Sequence, residues 1–405
     1  MSPMRLSLCA LSLCLLACAR GVAQEGTGMP KPEDFAILPW GWTPPDLTQL
    51  EGIRDCGFNL AGFVAPETLD LVQQVGLKAF VSDPTTDVGD AEAALDEADV
   101  GKRVKALVER VGDHPAAYGY YLRDEPSAAV FPGLGRWAAA FKQADPPAHP
   151  YINLFPNYAS PAQLGAETYD QYLTRFVETV HPDFVSYDHY ALMDDGTLRG
   201  GYFQNLEAVR KVALGAGIPF WNIVLSNSHF HYAEPTPGGL RFELYTTLAY
   251  GARGISYFTY FAPEVGNYRL APIDQFGNRT PTWEMLRNVN LQIHKLAPIY
   301  CTLKSVNVFH HGDVPEGCSG DDTSVHLVSV DGGSLLVGEF EGPQGQPAVF
   351  VVNKDIHTST PFAVRFRRAG RVCVVSPYRG TLTDLAGEQD WLAPGQGALL
   401  LLETQ

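Results

Sequence analysis

The pattern of apolar and polar positions between residues 35 and 300 repeats one unit. Each unit has a short apolar run, a turn-rich polar stretch, and a longer stretch with apolar residues at helical spacing. The apolar runs span residues 35–42, 57–66, 77–84, 117–126, 150–157, 182–190, 218–227 and 254–261. Their length and their content of β-branched and aromatic residues are typical of buried strands, so the pattern predicts eight strands.

The stretches between these runs predict helices. Apolar residues recur at helical spacing in residues 91–112, 131–145, 168–180, 203–217, 240–252 and 281–298. Strands that alternate with helices pair in parallel through right-handed crossovers. Eight such units predict a (β/α)8 TIM barrel over residues 33–300 rather than an open doubly wound sheet, and no GxGxxG motif follows the first run.

The pattern changes after residue 300. Short apolar runs such as SVHLVSV, SLLVGEFE and PAVFVVNK are separated by Gly, Asp and Pro turns, without helical stretches between them. Such spacing is typical of antiparallel strands. We therefore predict a C-terminal all-β sandwich domain over residues 301–405.

Residues 1–23 have the pattern of a signal peptide for export. Arg5 precedes an apolar stretch from Leu6 to Cys18 that is too short to span a bilayer. Two cleavage sites remain open: a lipobox-like sequence ending at Cys18, which would give a lipoprotein, and ordinary cleavage after Ala23. We expect an exported protein, either periplasmic, extracellular or an outer-membrane lipoprotein, that touches a membrane only through a lipid on Cys18.

Composition narrows the classes of partner. The 405-residue chain has a formal net charge of −16, which argues against nucleic acid or an anionic membrane surface as the main partner. Outside the signal peptide, Cys301 and Cys318 are close enough in sequence for a disulfide, which export would permit, and free thiols are the other interpretation. No cysteine or histidine spacing indicates a metal site, and we predict no cofactor.

Polar and aromatic residues cluster where the predicted strands end. The active site of a (β/α)8 barrel lies at the carboxyl ends of its strands, so these residues should share one mouth. In strand order they are Trp40, Trp42, Asp124, Glu125, Asn153, Asn157, Tyr187, Asp188, His189, Tyr190, Asn227, Tyr257, Tyr260 and Glu264. Aromatic faces, amides and paired acids suit a carbohydrate substrate, whereas a phosphate would call for a basic or glycine-rich rim.

The run YGYYLRDEPS (118–127) carries a specific resemblance. Asp124-Glu125-Pro126 resembles the Asn-Glu-Pro signature of the clan of retaining barrel glycosidases that includes cellulases, mannanases and β-galactosidases. In that clan the glutamate is the general acid/base, so the resemblance implies this role for Glu125. Asp124 stands where the clan has asparagine. The stretches INLFPNY, SYDHY and AYGARGISYFTYF also resemble secreted barrel glycosidases of bacteria.

The second carboxylate is not fixed by the resemblance. The clan places its nucleophile at the end of strand seven, and here no acid follows that run before Glu234. Asp188 could act as nucleophile or as base, or Glu234 or Glu264 could reach in from a loop. Alternatively, Asp124 and Glu125 could work as a pair, as in substrate-assisted hexosaminidases. We favour Asp188, with Glu264 next.

Side chains alternate along a strand, so Asp124 and Glu125 should point to opposite faces unless the turn re-aims them. We expect Glu125 to enter the pocket and Asp124 to brace its rim. The structural alternative for Glu125 is an ion pair with Arg123, and His189 and the strand tyrosines fit a core position better than a catalytic one.

The sequence thus predicts an exported glycoside hydrolase that uses two carboxyl groups. The alternatives are a catalytically inactive glycan-binding barrel and a substrate-assisted hexosaminidase. An aldolase or metal hydrolase is disfavoured, because no lysine ends a predicted strand and no His/Asp cluster has metal-ligand spacing.

Overall fold

The computed structural model describes residues 30–385 and 391–403. The predicted signal peptide, including Cys18, lies outside these ranges. Within them, one parallel sheet has the strand order β1-β8-β7-β6-β5-β4-β3-β2. Its strands are β1 (Ala36–Pro39), β2 (Leu60–Val64), β3 (Lys78–Val81), β4 (Ala117–Asp124), β5 (His149–Leu154), β6 (Val185–Asp188), β7 (Phe220–Leu225) and β8 (Gly254–Phe258).

The sheet closes on itself where β1 meets β2. The Phe63 amide donates to the Gly41 carbonyl at 3.0 Å, and the Thr43 amide donates to the Phe63 carbonyl at 2.9 Å. Parallel strands that meet in this way leave almost no free edge. The predicted (β/α)8 barrel is confirmed, and its strands fall at the predicted runs.

Helices alternate with the strands and cover the outside of the barrel. They are α1 (Leu47–Asp55), α2 (Leu69–Gln74), α3 (Asp90–Ala93), α4 (Glu97–Val111), α5 (Phe131–Ala144), α6 (Pro161–Leu164), α7 (Tyr169–Val180), α8 (Tyr202–Ala216), α9 (Pro237–Ala249) and α10 (Pro281–Tyr300). The single helix predicted over 91–112 is wrong, because α3 and α4 divide that stretch. Asp96 caps the second of these helices by accepting from the Asp99 amide at 2.9 Å.

Aromatic side chains fill the barrel interior. Phe184 and Trp221 stack with ring centroids 4.0 Å apart, and Tyr151 lies 4.8 Å from Phe80. Tyr118 closes the same layer 5.2 Å from Phe80. These rings form a dry floor beneath the carboxyl ends of the strands, which is where the candidate site lies.

The chain after α10 forms two antiparallel sheets. Within the described residues, their orders are β10-β13-β16 and β15-β14-β17-β12-β11-β9. The strands are β9 (Lys304–His311), β10 (Leu327–Gly332), β11 (Leu335–Glu341), β12 (Pro347–Asn353), β13 (Thr360–Phe366), β14 (Arg371–Val375), β15 (Leu382–Asp384), β16 (Trp391–Leu392) and β17 (Gly397–Glu403). Apolar side chains such as Phe309, Val337, Val351 and Phe362 pack between the sheets, so the predicted β-sandwich is confirmed.

Helix α9 is buried on both sides. Its residues are buried from Gly238 to Ala249 except for Arg241. One side covers the barrel, and the other packs on the six-stranded sheet, where Tyr245 lies 5.7 Å from Phe350. A helix without a polar face is typical of an element enclosed by protein on all sides.

Cys301 and Cys318 are free thiols, so the disulfide between them does not form.

In the described part of the chain, no helix is both long enough and apolar enough to cross a membrane.

Asn59 ties the closing seam of the barrel together, and its loss should weaken the fold. Its Oδ1 accepts from the Ile37 amide at 2.8 Å, and its Nδ2 donates to the carbonyls of Phe35 at 2.7 Å and Pro30 at 2.8 Å. Asn59→Ala leaves these buried groups without partners. We expect the free energy of unfolding in urea to fall by about 2–4 kcal/mol.

Gln73→Ala on α2 is the matched control for Asn59→Ala, because Gln73 is exposed. Its free energy of unfolding should stay close to that of the wild type. An Asn59→Ala protein as stable as this control would contradict the role of the seam.

Candidate active site

A cavity of about 250 Å³ opens at the carboxyl ends of the barrel strands. It is lined by Trp40, Asp124, Glu125, Asn153, Tyr158, Asp188, Tyr190, Ile223, His229, Phe230, Tyr232, Phe258 and Tyr268. Six of the sequence-predicted residues therefore come together as expected: Trp40, Asp124, Glu125, Asn153, Asp188 and Tyr190.

Asn153, at the end of β5, connects two of the acids. Its Nδ2 donates to Asp124 Oδ1 on β4 at 2.9 Å and to Asp188 Oδ1 on β6 at 2.9 Å. Its Oδ1 accepts from Ser186 Oγ at 3.1 Å, and Ser186 Oγ lies 2.9 Å from the Tyr151 hydroxyl. Since the amide oxygen already accepts, the amide nitrogen must face the carboxyls, and both acids are held in place.

Glu125 enters the cavity because the backbone turns immediately after β4. Its φ is +42°, in the left-handed region that a non-glycine residue seldom adopts, and its amide donates to the Asn153 carbonyl at 2.8 Å. This turn breaks the alternation of the strand. Glu125 therefore lines the cavity as expected, but Asp124 lines it as well instead of bracing the rim.

The expected structural alternative for Glu125 does not occur. The Arg123 guanidinium donates to Asp90 at 2.8 Å and to the Val88 carbonyl at 2.7 Å, so it leads away from the cavity. Glu125 is left to interact with the other acids of the site.

Glu125 and Asp188 both line the cavity, and each of these two carboxyl groups affects the protonation of the other. Burial, together with the nearby charge of Asp124, raises the pKa of Glu125 to about 7. Burial also raises the pKa of Asp188 well above its usual range, and the charges of Glu125 and Asp124 add to this while Asn153 opposes it. Two carboxyls in contact cannot both ionise easily, so the pair retains a proton near neutral pH.

His229 faces the cavity as a neutral imidazole. Its Nδ1 lies 2.9 Å from Asn227 Oδ1, and Asn227 Nδ2 donates to the Phe258 carbonyl at 2.8 Å. Because Asn227 Oδ1 can only accept, the His229 hydrogen is on Nδ1 and its Nε2 is an acceptor. Burial lowers the pKa of His229, which keeps the ring uncharged.

Three predicted tyrosines belong to the core and not to the cavity. Tyr187 and Tyr257 lie on the outward faces of β6 and β8 and pack under the helices, Tyr257 at 5.9 Å from Phe58. The Tyr260 hydroxyl accepts from Trp283 Nε1 at 2.9 Å. Their predicted contact with substrate is corrected: the alternation that points Asp188 inward points Tyr187 outward.

Three further predicted residues lie behind the cavity: Asn227 and His189 are buried, and Asn157 is half-buried. Asn157 Nδ2 donates to the Gly201 carbonyl at 2.8 Å, and Asn227 orients His229. His189 lies between Tyr158 and Tyr202 at ring distances of 5.0 and 5.3 Å, where burial lowers its pKa to about 3. These residues position the wall of the cavity but do not line it.

The remaining predicted residues lie outside the cavity on the surface. Trp42 is 54% exposed, and Glu264 is exposed in the loop after β8. Glu234 is also exposed, 3.9 Å from Arg269. The loop acids proposed as a second carboxylate are therefore not at the site, and Tyr268 reaches the cavity from the β8 loop in place of Glu264.

Sequence reasoning missed seven lining residues: Tyr158, Ile223, His229, Phe230, Tyr232, Phe258 and Tyr268. Several belong to the aromatic loop SHFHY (228–232), whose composition was the available signal. As for metal ligands, residues 30–385 and 391–403 contain no group of three or more His, Cys, Asp or Glu side chains that could hold an ion.

No protein-family model and no curated protein matches the sequence. Solved structures match it in fold. A glycoside hydrolase aligns with a TM-score of 0.59 and 12% identity over 91% of this chain and 93% of its own. A family 5 glycoside hydrolase from Bacteroides vulgatus ATCC 8482 gives 0.58 and 11% over 91% and 89%. A catalytic mutant of a GH42 β-galactosidase from G. stearothermophilus gives 0.59 and 9% over 91% and 98%.

At these identities the likeness establishes the fold alone. The structural neighbours are glycoside hydrolases, and the alignment over 91% of the chain includes the C-terminal β domain as well as the barrel. The reaction that the cavity could catalyse must therefore be argued from the arrangement of its carboxyl groups.

The raised pKa of Glu125 should make stability depend on pH. Its value of about 7 in the fold exceeds the ordinary 4.5, so its contribution to stability is full below pH 4.5 and is lost as pH rises through 7. Glu125→Gln removes this loss. Allowing for solvent screening, we expect the variant to gain about 1–2 kcal/mol relative to wild type between pH 5 and pH 8 in urea unfolding.

Glu264→Gln serves as the control, since Glu264 is exposed outside the cavity. Its stability relative to wild type should not change between the two pH values. If Glu125→Gln behaved in the same way, Glu125 would not be the group that holds the proton.

Proposed function

We propose that this protein is an exported glycoside hydrolase that cleaves O-glycosidic bonds of an oligo- or polysaccharide. One observation carries the proposal: the carboxyls of Asp124, Glu125 and Asp188 line one aromatic cavity at the carboxyl ends of the strands, where burial raises the pKa of Glu125 to about 7. Two carboxyl groups whose environments hold one proton near neutral pH supply the acid and the base that glycoside cleavage needs.

Glu125 is the proposed general acid. A carboxyl with a pKa near the working pH is protonated often enough to donate and acidic enough to do so quickly. Its proton passes to the glycosidic oxygen as the bond from that oxygen to the anomeric carbon breaks, so the leaving group departs as an alcohol while the sugar passes through an oxocarbenium-like transition state. If Asp188 is the nucleophile, it bonds to the anomeric carbon, and the ionised Glu125 then takes a proton from the water that displaces it. If Asp188 is the base, it takes the proton of the water that attacks the anomeric carbon directly.

Asp188 is the proposed second carboxylate. Carboxyl groups stand about 5–5.5 Å apart in retaining enzymes and about 6.5–9.5 Å apart in inverting ones. The separation of the Glu125 and Asp188 carboxyls around a bound sugar would therefore distinguish the two mechanisms. Asn153 Nδ2 holds Asp188 in place by donating to its Oδ1 at 2.9 Å. The anomeric configuration of the first product, followed by NMR, distinguishes the two roles of Asp188.

A second candidate is a substrate-assisted hexosaminidase. Asp124 favours it, because this carboxyl lies in the cavity beside Glu125 and is held by Asn153 at 2.9 Å. In that mechanism Asp124 would orient the acetamido group that attacks the anomeric carbon. Turnover of aryl N-acetylhexosaminides, with no turnover of the matching aryl hexosides, would support this candidate over the first.

A third candidate, the inactive glycan-binding barrel, differs from both in having no turnover. If wild type hydrolysed no aryl glycoside or polysaccharide while still binding a glycan, the binding function would stand. Export rests on the sequence pattern of residues 1–23 alone, as does the lipid anchor at Cys18.

Glu125→Gln should reduce turnover in a way that depends on the leaving group. Alkyl and sugar leaving groups need protonation, whereas dinitrophenolate does not. We expect the variant to lose about 10³-fold or more in kcat/KM on unactivated glycosides and less than about tenfold in bond cleavage on dinitrophenyl glycosides. Equal losses on both substrates would contradict the role of Glu125 as acid.

The pH dependence of kcat/KM for the wild-type protein should also reflect the protonation of Glu125. We expect kcat/KM to fall as pH rises above about 7, because Glu125 then loses its proton. Asp124→Asn removes the negative charge that helps to raise this pKa, so the fall should move to lower pH. The side chain introduced by Asp124→Asn retains an oxygen that can accept a hydrogen bond from Asn153. A profile unchanged by Asp124→Asn would show that the charge of Asp124 does not act on the titrating group.

A further inference from the structure

The loops after β6 and β7 are joined to each other beside the cavity. The Asp194 amide donates to the His231 carbonyl at 2.9 Å, and the Ala233 amide donates to the Leu192 carbonyl at 3.0 Å. The two loops therefore behave as a short two-stranded edge and not as separate flaps.

The loops after β7 and β8 are joined in the same way. Ser228 and Arg269 exchange both backbone hydrogen bonds at 2.8 Å, and Arg269 Nη2 donates to Ser228 Oγ at 2.8 Å. Three consecutive loops thus form one continuous wall on the β6–β8 side of the cavity.

The inner surface of this wall is aromatic. His229 lies 4.9 Å from Tyr232, 4.8 Å from Tyr268 and 5.8 Å from Phe258, measured between ring centroids. Tyr190 stacks on Phe258 at 5.8 Å. These rings pack against one another, so the wall ends the cavity on this side and would block a chain that continued through it.

The opposite side has no such wall. Among the described residues, none from β2, β3 or the loops after them lines the cavity. Glu125 follows β4, which pairs with β3, so the proposed acid stands next to the open side. With Glu125 as the acid, the proposed function places the leaving group on the β2–β3 side and the cleaved sugar under the aromatic wall.

The volume of the cavity and the charge of its lining limit which sugars can bind under the wall. The volume of about 250 Å³ is below the roughly 300–1,000 Å³ usual for small-molecule sites. Asp124, Glu125 and Asp188 line the cavity, whereas no Lys or Arg of the described residues does. Two cations stand nearby without lining the cavity: Arg199 stacks on the Tyr158 ring at 4.4 Å, and Arg269 donates to Ser228 Oγ at 2.8 Å. A carboxylate or sulfate on the bound sugar would therefore meet acids without a paired cation.

We propose that the cavity binds one uncharged sugar unit at the end of a glycan chain, so that the protein is an exo-acting glycosidase. The inference rests on the proposed function. The aromatic wall stops the chain beyond that unit, His229 Nε2 accepts a hydrogen bond from one of its hydroxyls, and the rest of the glycan leaves past Glu125.

Capped oligosaccharides test this inference. A panel of aryl glycosides identifies the sugar, and two reducing-end-labelled oligosaccharides of that sugar are then compared, one with a free terminal unit and one carrying a 4,6-O-benzylidene cap. We expect the free chain to shorten by one unit at a time and the capped chain to react at least about 100-fold more slowly. The matching aryl uronide should also react at least about 100-fold more slowly than the uncharged aryl glycoside.

The outcomes separate the inference from the proposed function. Cleavage of the capped chain at a similar rate, or internal fragments from the free chain, would overturn exo action while leaving a glycoside hydrolase. Failure to cleave any aryl glycoside or oligosaccharide would overturn the proposed function, and the inference would fall with it.

Shortening the wall gives a second test. Tyr268→Ala removes a ring of the wall, and the rate on the capped chain relative to the free chain should rise at least about tenfold. Phe276→Ala is the control, because Phe276 is 87% exposed in the same loop and does not line the cavity. A Tyr268→Ala ratio equal to that of the control would contradict the role of the wall.

Discussion

The side-chain amide of Asn153 holds two carboxyl groups on either side of it, and the chemistry of the cavity depends on this arrangement. Without donors aimed at them, three carboxyls in one buried cavity would repel each other and take up protons indiscriminately. The amide stabilises the charge of Asp124 and Asp188 but does not reach Glu125. The proton that remains near neutral pH belongs to the pair of Glu125 and Asp188, because burial raises the pKa of both.

This arrangement can form because β5 lies between β4 and β6 and because its neighbours are in register. Asp124 pairs with Asn153, and Asn153 pairs with Ser186, so the amide and its hydroxyl partner reach one level of the barrel. Beneath them the aromatic floor excludes water, which strengthens each of these interactions. The packing of the barrel interior and the register of β4, β5 and β6 therefore act together on the pKa values of the carboxyls.

The sequence predicted the strands well because each is a short apolar run between turn residues. Because the end of each apolar run marks the end of a strand, the sequence also predicted which carboxyls lie at the strand ends. It failed at Asp124, because a register shift between Tyr121 and Arg123 interrupts the alternation of β4 and because Glu125 takes a left-handed conformation that no residue pattern announces. It also failed in the loops, which have no periodicity, so nothing distinguished Tyr268, which reaches the cavity, from the exposed Glu264 four residues earlier.

Helix α9 joins the two halves of the chain more firmly than an ordinary linker would. Gly338 on β11 lies so close to the Ala249 carbonyl that any larger residue would collide with it, and apolar residues of the six-stranded sheet belong to the same core as those of the helix. Neither half can bury its apolar surface without the other. The β domain therefore serves as an outer layer of the barrel, and the two halves should unfold as one cooperative unit.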